Sequence, residues 1–300
     1  MEPIDEVRQL LGQLLGGPDA SIAHRRDQSK AFAAAAVTPA AVEIRADLLG
    51  GVTVEWVVPT RAESWPVFIH LHGGGYVMGD PLGSRPFTTE LALRTRSRVV
   101  SIDYRLAPEH RFPAAVQDCL MVYRALFERG ALPSALAIGG ESAGGGLAVA
   151  VLLAAKDAGL PMPACAVAMS PWTNLLCDEE SYAAKAATDP LLTRAILREM
   201  AEDYLGAADP RERWASPSLA DLAGLPPMLI QVGSEEVLLG DAQRLAEQAR
   251  RCGVTAELEV WDRMIHVWHM FHPMLPQGGD AIARVADYLE ARWSRPRLIT

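Results

Sequence analysis

The chain is poor in cysteine: among its 300 residues only Cys119, Cys165, Cys177 and Cys252 occur, at spacings that suggest neither a disulfide framework nor a metal knuckle. A disulfide-stapled secreted domain and a zinc ribbon are both excluded by that pattern. The first residues, Met1-Glu2-Pro3-Ile4-Asp5-Glu6, lack the basic start and apolar core of a secretory leader, so a cytoplasmic location is expected. Long apolar runs are also missing. The longest, around Leu147 to Ala155, is too short to span a bilayer and suits one buried helix, so no membrane anchor is expected. Positive charge is in deficit, with a formal net charge of −9, which argues against nucleic-acid backbones as partners. No internal repeat or low-complexity linker divides the chain. What the sequence does hold is apolar content, 50% of its residues, enough for one large α/β domain with a substantial core.

Strand-like runs lie near Val42 to Leu48, Val52 to Val58, Val67 to Leu71, Val99 to Tyr104, Ala135 to Ile138, Ala164 to Met169, Met228 to Val232 and Thr255 to Trp261. From Val67 onward they alternate with helical stretches, which predicts a largely parallel, doubly wound sheet with right-handed crossovers. Two segments fall outside that rhythm. Residues 1–45 are Ala-rich and broken at Gly16-Gly17-Pro18, and about 172–221 interrupts the second half of the sheet. Both are expected to be helical cap segments on a core of residues 46–300. Asp189-Pro190-Leu191-Leu192-Thr193 reads as a helix start inside the second, where Trp172, Leu176, Tyr182, Tyr204 and Trp214 offer apolar area to cover a substrate or to pack the cap on the core.

Two glycine-rich turns carry the chemistry. Gly140-Glu141-Ser142-Ala143-Gly144 follows the apolar run Ala135 to Ile138 and opens a helix-like stretch, so Ser142 stands where a buried strand turns into a helix. Such a corner strains the serine's backbone and needs small residues two positions either side, which Gly140 and Gly144 supply. The helix that follows aims its free amides and positive dipole end at the same spot. His72-Gly73-Gly74-Gly75-Tyr76 follows the buried run Pro66 to Leu71, and its glycines leave backbone amides that no side chain shields. Naked amides beside a nucleophile can form an oxyanion hole, assigned here to Gly74, Gly75 and Ala143.

These turns, together with Asp103-Tyr104-Arg105-Leu106-Ala107-Pro108-Glu109-His110-Arg111-Phe112-Pro113 between them, resemble the hormone-sensitive-lipase family of α/β-hydrolases, of the bacterial family IV type, from about Val52 to the C-terminus. The resemblance implies an eight-stranded α/β-hydrolase sheet flanked by helices, with a helical cap, and a carboxylic ester hydrolase acting through a serine acyl-enzyme without cofactor or metal. It implies short- to medium-chain acyl esters, with lactones open to the same machinery. The Asp103 to Pro113 stretch offers no chemistry of its own and reads as a loop ordered by ion pairs and fixed φ angles.

A serine needs a base and the base an orienter. His266 lies on a loop beyond the Ala256 to Trp261 strand, where α/β sheets build sites, and matches the family's late histidine. His269 and His272 extend it to H-x-x-H-x-x-H, which invites a metal reading, but no carboxylate or cysteine clusters nearby and Pro273 breaks the run; they are expected on a solvated or cap-facing surface. For the acid, Glu236-Val237-Leu238 occupies the place where the family usually has an aspartate followed by Pro-Leu or Val-Leu, with Glu235 and Asp241 as fallbacks. A small-molecule receptor is the competing class, since the plant gibberellin receptors resemble this family yet lose the histidine, which this chain retains. The helix from about Asp280 to Trp293 is expected to be exposed and able to pair with a second copy.

Overall fold

Continuous Val, Ile, Leu and Ala runs cannot leave one face in water, so they assemble into the middle of a sheet covered on both sides. The computed structural model describes residues 2–14, 21–34, 39–60 and 66–294, and the Gly16-Gly17-Pro18 break lies outside them. Its strands are β1 (Val42–Leu49), β2 (Val52–Pro59), β3 (Val67–Leu71), β4 (Arg98–Ile102), β5 (Leu136–Glu141), β6 (Cys165–Met169), β7 (Met228–Gly233) and β8 (Ala256–Trp261). They form one eight-stranded sheet in the order β1-β2-β4-β3-β5-β6-β7-β8. The β1–β2 and β2–β4 pairs are antiparallel and the rest parallel, as the alternation from Val67 predicts.

The helices are α1 (Pro3–Leu14), α2 (Ile22–Ala34), α3 (Arg85–Thr95), α4 (Ala114–Glu128), α5 (Ala143–Asp157), α6 (Ser181–Ala184), α7 (Arg194–Leu205), α8 (Leu239–Arg251) and α9 (Pro276–Glu290). Side chains alternate across each strand. Ile69 and Leu71 of β3 join the core layer under α4, α5 and α8, while Phe68 joins the opposite layer with Phe87 and Leu91 of α3 and Ile282 and Val285 of α9. Helix α5 is buried all round from Ala143 to Ala155, which its unbroken small and apolar composition permits.

Strand β5 runs three residues beyond the predicted end, through Gly139 and Gly140 to Glu141. These glycines belong to the strand because its neighbours come too close for a side chain. A Cβ at Gly139 would stand 2.4 Å from the Val167 carbonyl oxygen, and one at Gly140 2.1 Å from that of Leu71.

Helices α1 and α2 precede the sheet, and α6 and α7 fill the interval between β6 and β7. Ile4, Val7 and Leu11 of α1 pack with Met264, Ile265, Trp268 and Phe271, the loop that carries His266. Arg26 of α2 donates to the Val77 and Ala107 carbonyls and pairs with Glu109, which ties α2 to the Asp103 to Pro113 loop. Helix α7 begins later than its start signal. Thr193 caps it by accepting from the Ile196 amide, while Asp189 accepts from Leu191, Leu192 and Val237 and so orders the loop before it. The C-terminal helix corrects an expectation: Leu289 is fully buried, and α9 turns its apolar face onto α3 and the sheet, so its amphipathic pattern is satisfied within one chain. No helix among the described residues is long and apolar enough to cross a membrane.

Candidate functional site

Loops leaving the carboxyl ends of β3, β5, β7 and β8 converge, as parallel topology requires. Ser142 occupies the corner between β5 and α5 at φ 56° and ψ −124°, a strained conformation for a residue with a Cβ. Its backbone is held on both sides. The Ser142 amide donates to the Met169 carbonyl, and its own carbonyl accepts from the amides of Gly145 and Trp172.

The Ser142 hydroxyl lies 2.9 Å from His266 Nε2 and donates to it, and His266 Nδ1 donates to Glu236 Oε2 at 2.9 Å. Glu236 is fully buried, and its other oxygen accepts from the Ser170 hydroxyl at 2.8 Å and the Gly233 amide at 2.6 Å. Burial pushes its carboxyl above the ordinary range, against the opposing pull of His266, Gly233 and Ser170. A hydroxyl bonded to an imidazole whose far nitrogen is held by a carboxylate can give up its proton as it attacks a carbonyl.

The three candidate acids separate cleanly. Glu235 sits beside Ser234 and Lys185, at 3.3 and 3.9 Å. Asp241 is buried elsewhere, accepting from the amides of Thr173 and Asn174. Gly233 and Ser170 hold the Glu236 oxygen that does not face His266.

Beside Ser142, the Gly74 and Gly75 backbone takes φ 111° and 62°, which glycine adopts without a Cβ penalty. Among the described residues the amides of Gly74, Gly75 and Ala143 donate to no protein acceptor, leaving them available to a developing oxyanion. His72 is buried and stacked on Tyr104 at 4.1 Å; its Nδ1 donates to the Gly73 carbonyl. Burial depresses its pKa to about 4, outweighing that bond, so the ring is neutral at physiological pH.

His269 and His272 do not join His266. His269 is buried, not solvated, and its Nε2 donates to Gln231; His272 donates to the Pro86 carbonyl. Val267 in the left-handed region breaks the chain between His266 and the short 3₁₀ segment Trp268–Phe271, so the three rings share no helix face. Burial depresses the His269 pKa to about 3.

A cleft open to solvent lies over Ser142. Its apolar wall comes from Leu191, Leu192, Leu197 and Met200 of the 172–221 stretch and from Val267 and Met270. The cap aromatics singled out from the sequence are not in it. Trp172, Tyr182 and Tyr204 are buried in the core, with Tyr204 stacked on Tyr76 at 3.9 Å. Sequence reasoning also passed over Ser170 and Glu141. For Glu141 a signal existed: a carboxylate between a buried strand and the nucleophile turn needs an internal partner.

This sheet, with a serine corner after its fifth strand and a histidine beyond its eighth, defines an α/β hydrolase, and a family model described as the alpha/beta hydrolase fold matches residues 68–270. An acetyl-hydrolase of Streptomyces hygroscopicus is 46% identical over 241 residues, 80% of each chain. A crystal structure of an esterase from the bacterial hormone-sensitive lipase family superposes with TM-score 0.95 at 39% identity, covering 97% of this chain and 98% of that one. A crystal structure of EstE5, soaked with p-nitrophenyl butyrate, gives TM-score 0.92 at 40% identity over 98% of this chain and 99% of that one. The chain belongs to the hormone-sensitive-lipase family of α/β-hydrolases.

Proposed function

We propose that this chain hydrolyses short- to medium-chain acyl esters through an acyl-enzyme on Ser142, with His266 as general base and acid, Glu236 as its orienter, and the amides of Gly74, Gly75 and Ala143 as the oxyanion hole. The chain is a carboxylic ester hydrolase of the serine type. The observation that carries the residue assignment is the continuous hydrogen-bonded row Ser142–His266–Glu236 at 2.9 Å per step.

As Ser142 Oγ attacks the ester carbonyl, His266 Nε2 takes its proton, and Glu236 stabilises the imidazolium by accepting from Nδ1. The carbonyl oxygen becomes anionic between the three amides. His266 then protonates the departing alkoxide, and water enters along the same path to release the acid and restore Ser142. Acyl length is limited by the wall of Leu191, Leu192, Leu197 and Met200, and with Ser29 of α2 also lining the cleft, α2 and the 172–221 stretch act as its cap, while α1 packs on the His266 loop. The cytoplasm is the compartment we infer, supported by free Cys119, Cys165 and Cys177 buried in the core.

Hydrolysis of p-nitrophenyl esters from acetate to palmitate tests this reading with wild type, Ser142→Ala and His266→Ala. Activity peaking at short chains and lost in both variants is expected. A wild type that binds apolar ligands without turnover would replace the reading with a receptor.

A further inference from the structure

The mechanism makes no use of a buried acidic network that lies directly against the nucleophile. Glu141 precedes Ser142 in the chain and is almost wholly buried. One of its oxygens, Oε1, accepts from the Gly73 amide at 2.8 Å and from the Ser84 hydroxyl at 3.0 Å. The other, Oε2, bonds His70 Nε2 at 2.7 Å, and His70 Nδ1 bonds the Ser101 hydroxyl at 2.9 Å. One carboxylate thus ties together the nucleophile turn, the glycine loop after β3 and the start of α3.

Gly73 is adjacent to Gly74; the loop's own bonds, from the His72 ring to the Gly73 carbonyl and from the Val77 and Met78 amides to the Gly74 carbonyl, lie within it and do not reach the nucleophile turn. Strands β3 and β5 pair in parallel up to Leu71 and Gly140, and beyond that register nothing in the sheet sets the distance between the two turns. Helix α5 packs closely on Leu71 and His72 at Gly144, and among the described residues the Gly73–Glu141 bond is the hydrogen bond that joins the two turns. Burial alone would raise the Glu141 pKa, but His70 and the Gly73 amide outweigh it and keep the carboxyl below its usual range, so it stays an acceptor.

We propose that Glu141 is a positioning residue for the oxyanion loop, holding the Gly73–Gly74–Gly75 backbone in register with Ser142. This rests on the ester-hydrolase reading above. Misplacing a catalytic group by about 1 Å can cost on the order of 10²-fold in rate. A tether that matters only as charge develops affects kcat and leaves KM nearly alone.

The test uses the full chain with p-nitrophenyl butyrate, a trifluoromethyl ketone that adds to Ser142 as a tetrahedral anion, and the variants Glu141→Gln, Glu141→Asp and Glu141→Ala. Glu141→Gln keeps an acceptor for Gly73 and turns its amide to His70, so it retains activity within about threefold. Glu141→Asp keeps the charge but, one methylene shorter, cannot span both partners. It loses about 10- to 100-fold in kcat at nearly constant KM, and ketone affinity falls by the same factor. Glu141→Ala loses at least as much, and where it fails to fold the Asp and Gln variants carry the comparison. A Glu141→Asp enzyme with wild-type kcat, or with reduced kcat but unchanged ketone affinity, overturns the proposal. Wild-type hydrolysis that Ser142→Ala leaves intact would instead overturn the ester-hydrolase reading beneath it.

Discussion

Replacing Glu236 by glutamine changes one atom of the Ser142–His266–Glu236 row, and the surroundings dictate how it must sit. Oε1 accepts from the Gly233 amide at 2.6 Å and from Ser170 at 2.8 Å, so the glutamine must place its oxygen there; an NH₂ group in that position would face another N–H donor. Its NH₂ then points at His266 Nδ1, which has to become an acceptor. The imidazole proton moves to Nε2, where it donates to Ser142 Oγ and can no longer receive the serine's proton. Both the tautomer and the charge that would stabilise the imidazolium are lost. A wrong tautomer with intact geometry costs about 10⁴-fold in kcat, roughly 5 kcal/mol of transition-state stabilisation. Steady-state hydrolysis of p-nitrophenyl butyrate by Glu236→Gln, beside Glu235→Gln and Asp241→Asn, measures it, with thermal melting as the folding control. A Glu236→Gln enzyme retaining more than about a tenth of wild-type kcat would refute the argument, as would an equal loss in Glu235→Gln.

Gly144→Ala should cripple the fold as well as the site, because the new Cβ would stand 2.0 Å from the Leu71 carbonyl oxygen and 2.5 Å from that of His72, both backbone atoms. Overpacking of that kind costs about 3 kcal/mol, a fall in melting temperature of roughly 5 °C or more; an unchanged melting curve would contradict the close approach of α5 to β3. Asp241→Asn should flatten the pH dependence of stability. Burial pushes the Asp241 carboxyl up to about 7 from 3.8, against the opposing amides of Thr173 and Asn174. Its folded pKa is raised, so its contribution is intact below the unfolded value and is lost as pH rises through 7, by roughly 4 kcal/mol at about 1.4 kcal/mol per unit. Denaturant titrations at pH 5 and 8.5 should show the wild type losing more stability than Asp241→Asn, and equal losses would count against a charged, buried Asp241.

Much of this protein is legible in its sequence because the signals involved are local. A run such as Val67 to Leu71 can only be a buried strand, and the glycines around Ser142 are demanded by a corner only a few residues long. Family resemblance extended that reading to His266 and Glu236. Other features depend on which distant segments meet. Ser142 and His266 stand 124 residues apart, and sheet register, not spacing, brings them together. Glu235, Glu236 and Asp241 lie within seven residues of one another, and the structure turns Glu236 to His266 with Gly233 and Ser170 behind it. Amphipathic α9 and the H-x-x-H-x-x-H run have patterns compatible with either water or core, and tertiary packing buried Leu289 and His269. The sequence by itself determined the strands, the serine corner and the glycine turn after β3, through periodicity and steric limits acting within a few residues. Only the tertiary structure decided which carboxylate faces His266, which residues of the 172–221 stretch line the cleft and that Glu141 joins the two turns, because burial and hydrogen-bond partners belong to pairs of segments and not to either alone.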